Sequence, residues 1–161
     1  MKVEVKNMPG IYVAAVSHIG PYKGDSELFK GLFDKLVRWA APKDLINTNT
    51  IFLSVYFDDQ GVDEKDRITV RVCMRVPENI KGEGDVNIMT LPGGKYAIAN
   101  FELDADEYEK VWDSLYSKWL PESGYRRDVR RPSMEIYKND PEKHPQKKHI
   151  VDICIPVKAA Q

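Results

Sequence analysis

Several features that would place the chain in a special class are missing from its 161 residues. There is no run of about 18 apolar residues, so the sequence predicts no membrane-spanning helix. The N-terminal stretch MKVEVKNMPG lacks the apolar core of a signal peptide. The formal net charge of −1 gives no general attraction to nucleic acid or anionic lipid. Cys73 and Cys154 lie in strand-like runs without metal-type spacing, so we predict a reduced, cytoplasmic protein with no metal and no cofactor.

The composition, with 42% hydrophobic and 30% charged residues, is that of a single globular domain over residues 1–161. Alternating polar and apolar residues predict eight strands. These strands cover residues 2–6, 11–18, 51–57, 68–76, 86–91, 95–101, 133–138 and 149–157. Apolar residues at helical spacing predict two helices, over residues 25–40 and 105–120. The segment Asp58–Gly61 is typical of a hairpin turn.

The order strand-helix-strand-strand occurs twice, and the two copies align by residue. MPGIYVAAV, from Met8, matches LPGGKYAIA, from Leu91; SVYFDD, from Ser54, matches EIYKND, from Glu135. VRVCMRV likewise matches VDICIPV later in the chain. We therefore predict an α+β fold made by tandem duplication, with pseudo-repeats at residues 1–80 and 84–158. The expected architecture is a curved antiparallel sheet with the helices on one face and a ligand groove on the other, at the seam between the repeats.

The ordered motifs of the chain resemble one known family. The segments are YVAAVSHIGPY, SVYFDD, LPGGKYAIA, SKWLPESGY, RRPSMEIYKND and VDICIPV, spread from about residue 2 to residue 158. Together they resemble the GyrI-like small-molecule-binding domain, a family that includes gyrase inhibitory proteins and the effector-binding domains of multidrug-responsive activators. The resemblance implies the same tandem fold. Since the ligand domain begins at residue 1, it also implies a stand-alone member without a preceding DNA-binding domain.

Glu135 is the most informative candidate because a carboxylate is unusual in the middle of an apolar strand. Alternation puts Glu135 and Tyr137 on one strand face, and the repeat puts Ser54 and Tyr56 on the same face of the matching strand. One carboxylate among tyrosines suits a hydrophobic organic cation, which stacks on aromatic rings. The resemblance also implies that Glu135 is the acid that contacts the drug. The alternative is a glutamate on a solvated sheet face, satisfied by water or arginine.

Four further residues are weaker candidates for ligand contact. Tyr96 follows a Gly-Gly turn and either lines the groove or belongs to the core. Tyr12 flanks the first long strand, and His18 near its end is more often structural. Trp39, at the end of the first helix, either belongs to the core or covers one end of the groove. Trp112 and Trp119 lie on the stripe of the second helix and are assigned to the core.

The leading hypothesis is a binding module that captures hydrophobic, cationic or aromatic small molecules by sequestration or sensing. One alternative, implied by the resemblance, is a hydrolase of strained electrophilic natural products, with Glu135 as the acid or base. The other is a protein-interaction module with DNA gyrase as the partner. The only dense basic stretch, RRDVRR at residues 126–131, is interrupted by an aspartate, so no direct nucleic-acid binding is expected. The sequence leaves a monomer and a homodimer open.

Overall fold

The computed structural model describes residues 2–22, 24–57 and 69–160. Within these ranges the chain forms an α+β fold with nine strands. The strands are β1 (Val3–Met8), β2 (Ile11–Ile19), β3 (Phe52–Tyr56), β4 (Thr69–Arg75), β5 (Val86–Leu91), β6 (Gly94–Leu103), β7 (Tyr125–Arg127), β8 (Ser133–Tyr137) and β9 (His149–Ala159). The helices are α1 (Ser26–Ala40), α2 (Tyr108–Ser114) and α3 (Leu120–Glu122), with a π-helical turn at Leu115–Trp119 and 3-10 turns at Ala41–Lys43 and Pro141–Lys143.

The sheet is antiparallel, in the order β1-β6-β9-β8-β3-β4-β2-β5, with β7 paired to the far end of β9. The predicted repeat makes β1 equivalent to β5, β2 to β6, β3 to β8 and β4 to β9. With these strands matched, the order of the sheet is the same when it is followed from either edge. The centre of the sheet is the pairing of β3 with β8. The first strand of each predicted half lies in the other half, because β1 pairs with β6 and β5 pairs with β2. The duplication itself stays a prediction.

Two short connections require the sheet to be strongly curled. Only Pro9 and Gly10 separate β1 from β2, although these strands stand six places apart in the sheet. Six strand spacings would amount to roughly 29 Å in a flat sheet, whereas three peptide units span at most about 11 Å. The connection from β5 to β6 consists only of Pro92 and Gly93, and these strands also stand six places apart, so it too requires a curled sheet. The two turns meet, and a β carbon on Gly93 would overlap the backbone from Met8 to Gly10.

Helix α1 covers one half of the sheet. It begins after Asp25, whose side chain accepts a hydrogen bond from the backbone N–H of Leu28 at 3.0 Å. Leu32, Leu36 and Trp39 on its inner side pack against apolar side chains of β2 and β4. Burial of this apolar stripe, as the spacing of the residues predicted, holds the helix on the sheet.

The second helical segment covers the other half and begins at Tyr108, three residues later than predicted. Leu115 is its most buried side chain, and it packs with residues of β6 and β9. The π-helical turn Leu115–Trp119 comes just before Pro121, which has no backbone N–H to donate to a helical hydrogen bond. The two helical segments lie over the outer strands, so the central pair β3 and β8 lies between them.

The sheet face opposite the helices is a packed core, which corrects the predicted placement of the groove. Its buried side chains come from seven strands. They are Val13, Ala15, Leu53, Val55, Cys73, Leu91, Tyr96, Met134 and Cys154. A groove on this face would have required Met134 and Ile136 of β8 to pack under the helices, whereas both pack in this core. Because the sheet curls, this face has apolar partners of its own, and the predicted groove on it is filled.

The predicted strands are otherwise confirmed within a few residues. The three-residue strand β7 was not predicted. The predicted turn Asp58–Gly61 lies outside the described residues. In the part of the chain that the structure describes, no helix combines the length and the apolar character needed to cross a membrane.

Candidate functional site

A cavity of about 920 Å³ lies on the helix side of the sheet, between α1 and α2 and above the pairing of β3 with β8. Its position follows from the fold, because the two helices cover the outer strands and leave the central pair open. Most of its wall is apolar and aromatic. The aromatic lining residues are Tyr22, Phe29, Phe33, Tyr56, Tyr108, Trp112, Tyr116 and Tyr137.

Glu135 of β8 lies in the cavity wall with only 5% of its surface exposed. Its Oε1 atom accepts hydrogen bonds from the hydroxyls of Tyr56 and Tyr137, both at 2.8 Å. Its Oε2 atom accepts a hydrogen bond from Nε1 of Trp112 at 2.7 Å. A buried carboxylate is costly unless such donors surround it. The three donors therefore hold this carboxyl group in a fixed orientation in the wall of an aromatic cavity.

The strand register brings these groups together. Ser54 pairs with Glu135, Phe52 with Tyr137 and Tyr56 with Ser133 across the centre of the sheet. Ser54 Oγ lies 2.7 Å from the hydroxyl oxygen of Tyr137. Because the hydrogen of that hydroxyl is donated to Glu135, Ser54 is the donor in this bond. The hydroxyls of Ser54 and Tyr137 thus point in series towards the carboxylate.

Burial and hydrogen bonding act in opposite directions on Glu135. Burial raises the pKa of Glu135 above its ordinary value of 4.5, and the hydrogen bonds from Trp112, Tyr137 and Tyr56 lower it, with a net rise. The pKa values of Tyr56 and Tyr137 rise well above 10.0, first by burial and then through the charge of Glu135. Both hydroxyls therefore remain protonated donors at neutral pH.

The rim of the cavity is acidic. Asp25, Asp106, Glu109 and Asp113 belong to its lining, and no lysine or arginine does among the described residues. His149 also lines the cavity, and its Nδ1 atom lies 2.9 Å from the hydroxyl of Tyr108. Burial lowers the pKa of His149, which favours the neutral ring. The cavity therefore offers negative charge inside and at its mouth.

The family model of the GyrI-like small molecule binding domain matches residues 1–158. This chain belongs to the GyrI-like family. The DNA gyrase inhibitor of Escherichia coli strain K12 is 28% identical to this GyrI-like chain over 146 residues, which is 87% of each protein.

Two solved structures share the GyrI-like fold at low sequence identity. The C-terminal domain of EcmrR superposes with a TM-score of 0.77 at 18% identity, over 99% of this chain and 98% of that domain. SAV2435, solved with bound tetraphenylphosphonium, superposes with a TM-score of 0.61 at 13% identity, over 98% and 94% of the two chains. At these identities the likeness establishes a common fold.

In this GyrI-like domain, three of the predicted site residues line the cavity. These are Glu135, Tyr137 and Tyr56, and Ser54 lies directly behind Tyr137. The predicted shared face of β3 and β8 is thus confirmed, although the cavity lies on the helix side of the sheet. Contact of these residues with a ligand stays a prediction.

The other four predicted residues lie elsewhere. Tyr96 is fully buried in the opposite core and donates a hydrogen bond to the carbonyl of Pro132 at 3.1 Å. Trp39 packs in the core under α1. Tyr12 is 38% exposed on β2, and Nε2 of His18 lies 3.2 Å from the carbonyl oxygen of Pro21. None of the four is in the cavity lining. Tyr12, His18 and Tyr96 belong to β2 and β6, which lie away from the central strands, and Trp39 is buried in the core beneath the end of α1.

Sequence reasoning missed the contribution of the helices to the site. Trp112 was assigned to the core, but it lines the cavity and donates to Glu135. Tyr116, one turn later, stacks on Trp112 with ring centroids 6.0 Å apart. Phe29 and Phe33 of α1 face them across the cavity. The available signal was the aromatic residues at helical spacing, Phe29 and Phe33 in the first helix and Tyr108, Trp112 and Tyr116 in the second.

Proposed function

We propose that this GyrI-like domain binds hydrophobic organic cations in the cavity between its helices, for sequestration or sensing. The observation that carries the proposal is the buried carboxylate of Glu135, held by Tyr56, Tyr137 and Trp112 within an aromatic wall. A negative charge in such an environment lacks a countercharge among the described lining residues, and a bound cation would supply it.

The aromatic wall supplies the affinity for the organic part of the ligand. Each favourable contact between a cation and a ring face contributes about 0.5–2 kcal/mol. Rings from both helices and both central strands are available, so a bulky aromatic cation would contact several at once. The volume of about 920 Å³ falls in the range of small-molecule sites.

The comparisons support this proposal. The family is described as small-molecule binding, and SAV2435, which shares the fold, was solved with the hydrophobic cation tetraphenylphosphonium. Tetraphenylphosphonium is therefore a suitable first probe for this chain.

The test uses two probes of the same shape and opposite charge, tetraphenylphosphonium and tetraphenylborate. Binding is followed by tryptophan fluorescence, since Trp112 lines the cavity, and confirmed by calorimetry. We expect the cation to bind and the anion not to bind. Glu135→Gln should weaken cation binding at least tenfold, or by about 1.4 kcal/mol.

The matched control is Glu109→Gln, which removes the same charge from the exposed rim of the cavity. A rim charge is screened by water and should change affinity by less than threefold. Equal affinity of wild type and Glu135→Gln for the cation would refute charge recognition at this site. If both probe ions bind with similar affinity, the cavity recognises hydrophobic molecules without regard to their charge.

DNA gyrase is a second candidate partner, favoured by the 28% identity to the Escherichia coli DNA gyrase inhibitor over 87% of both chains. The test is a supercoiling assay with purified gyrase and increasing amounts of the protein. Loss of supercoiling at a stoichiometric ratio would support the interaction, and full activity at a large excess would exclude it.

The hydrolase alternative depends on the same carboxylate. Burial raises the pKa of Glu135 towards the range in which a carboxyl group acts as a general acid or base. Mass spectrometry of a panel of strained electrophiles incubated with the protein separates turnover from capture. Multiple turnovers that are lost in Glu135→Gln would favour the enzyme, and unchanged compounds would favour binding alone.

A further inference from the structure

We infer that the cavity prefers cations without N–H groups, such as quaternary ammonium or phosphonium ions, over protonated amines with the same skeleton. This inference rests on the proposed binding of cations beside Glu135. It adds a selection rule that depends on how the carboxylate is already hydrogen-bonded.

The carboxylate of Glu135 has little hydrogen-bonding capacity left. An ionised carboxylate offers about four acceptor positions. Tyr56 and Tyr137 occupy two positions on Oε1, and Trp112 occupies one on Oε2. A primary ammonium brings three N–H donors, but only about one position on Oε2 remains for them.

The nearby hydroxyl oxygens are uncharged acceptors and make up only part of this deficit. The hydroxyl oxygen of Tyr137 already accepts a hydrogen bond from Ser54. The hydroxyl of Tyr108 is paired with His149 at 2.9 Å. An ammonium that enters would pair N–H groups with the uncharged hydroxyl oxygens of Tyr56 and Tyr137 or with water, or would displace one of the donors on Glu135. Each of these outcomes is weaker than a free hydrogen bond to the carboxylate.

A quaternary cation meets neither difficulty. Its charge is spread over carbon-bound hydrogens or aryl groups, so it needs no acceptor. It is attracted to the carboxylate through space and to ring faces such as the stacked pair Trp112 and Tyr116. The three donors on Glu135 can then remain in place while the cation is bound.

The experiment compares two ligands by calorimetry at pH 7, where both are cationic. They are biphenyl-4-ylmethyl-trimethylammonium and biphenyl-4-ylmethylammonium. In the wild type we expect the quaternary ion to bind at least tenfold more tightly, a difference of about 1.4 kcal/mol. The methyl groups contribute hydrophobic contacts of their own, so the decisive quantity is how the ratio of affinities changes between variants.

Tyr56→Phe removes one donor from Glu135 and frees an acceptor position, so the ratio should fall at least threefold. Tyr137→Phe should act in the same direction and serves as the second variant if Tyr56→Phe does not fold. Tyr12→Phe is the matched control, because it removes the hydroxyl of a tyrosine on β2 that is 38% exposed and is not in the cavity lining. Its ratio should stay within twofold of the wild type.

The outcomes separate this inference from the proposed function. If both ions bind in a manner that depends on Glu135 but with equal affinity, the selection rule is wrong and cation binding stands. A ratio that is the same in Tyr56→Phe, Tyr12→Phe and the wild type also overturns the rule, since the preference then comes from the methyl groups. If neither ion binds the wild type, the proposed function fails and the inference fails with it.

Discussion

The affinity for tetraphenylphosphonium should rise with pH, and the structure sets both the direction and the steepness. Burial raises the pKa of Glu135 above 4.5 in the empty cavity. A bound cation favours the ionised carboxylate and lowers that pKa again. The ligand itself has no titrating group. Binding therefore releases a proton wherever the carboxyl group is protonated in the empty protein.

One carboxyl group releases at most one proton, which limits the slope. Affinity should rise by up to tenfold per pH unit, about 1.4 kcal/mol, between the lowered pKa of Glu135 in the complex and its raised pKa in the empty protein, and it should level off above the latter. Calorimetry between about pH 4 and pH 8, in buffers of different ionisation enthalpy, measures both affinity and proton release. Glu135→Gln should give a flat profile, whereas Glu109→Gln should keep the wild-type profile. A wild-type affinity that does not change over this range, or a slope that persists in Glu135→Gln, would refute the reasoning.

The raised pKa of Glu135 also determines how the stability of the folded protein changes with pH. The pKa of Glu135 is higher in the folded, empty protein than in the unfolded chain. Its contribution to stability is therefore fully present below about pH 4.5 and is lost as the pH rises through the folded pKa. Glu135→Gln removes this dependence. The free energy of unfolding of the variant, relative to wild type, should increase with pH over that window.

Three further predictions concern the support of the fold and of the cavity. Asp128→Asn should lower the free energy of unfolding by about 3 kcal/mol in urea titrations, because Asp128 is buried and accepts a hydrogen bond from Nε of Arg131 at 3.2 Å. The control Asp113→Asn, at an exposed position, should change the free energy of unfolding by less than about 0.5 kcal/mol. Trp112→Phe should weaken tetraphenylphosphonium binding about fivefold in calorimetric titrations, since it replaces the large indole face with a smaller ring and removes the Nε1 donor to Glu135; unchanged affinity would contradict this. Gly93→Ala should lower the urea unfolding free energy by about 1–3 kcal/mol, because its methyl group has no room beside the neighbouring turn; a neutral effect would mean that the turns can separate.

Strand periodicity was enough to predict which side chains share a face at the centre of the sheet. Alternation in two short segments placed Glu135 and Tyr137 with Ser54 and Tyr56, and the observed register pairs the two strands directly. Periodicity could not show which face of the sheet carries the helices, because side chains on both faces of β8 are buried. Met134 packs in the opposite core. That core exists only because distant strands pair and curl the sheet, and no local pattern encodes such a pairing.

The helix residues of the site were hidden for a related reason. The spacing of Trp112, Leu115 and Tyr116 indicates one inward stripe, and all three do face inward. Leu115 is buried against β6 and β9, whereas Trp112 and Tyr116 also border the cavity. The difference depends on where the helix lies relative to the central strands. That position is a tertiary property, which an amphipathic pattern does not specify.

The predicted repeat also suggests why only one half of the chain carries the acid. The repeat makes Ser54 the equivalent of Glu135, and the register places these two residues directly opposite each other on β3 and β8. Directly opposed side chains have β carbons about 5 Å apart, and like charges at that distance destabilise a sheet. Two buried carboxylates there would also compete for the hydroxyls of Tyr56 and Tyr137. A serine at position 54 instead donates to Tyr137, which donates to Glu135, so the asymmetry leaves a single carboxyl group, held by three donors, in the wall of an otherwise aromatic part of the cavity.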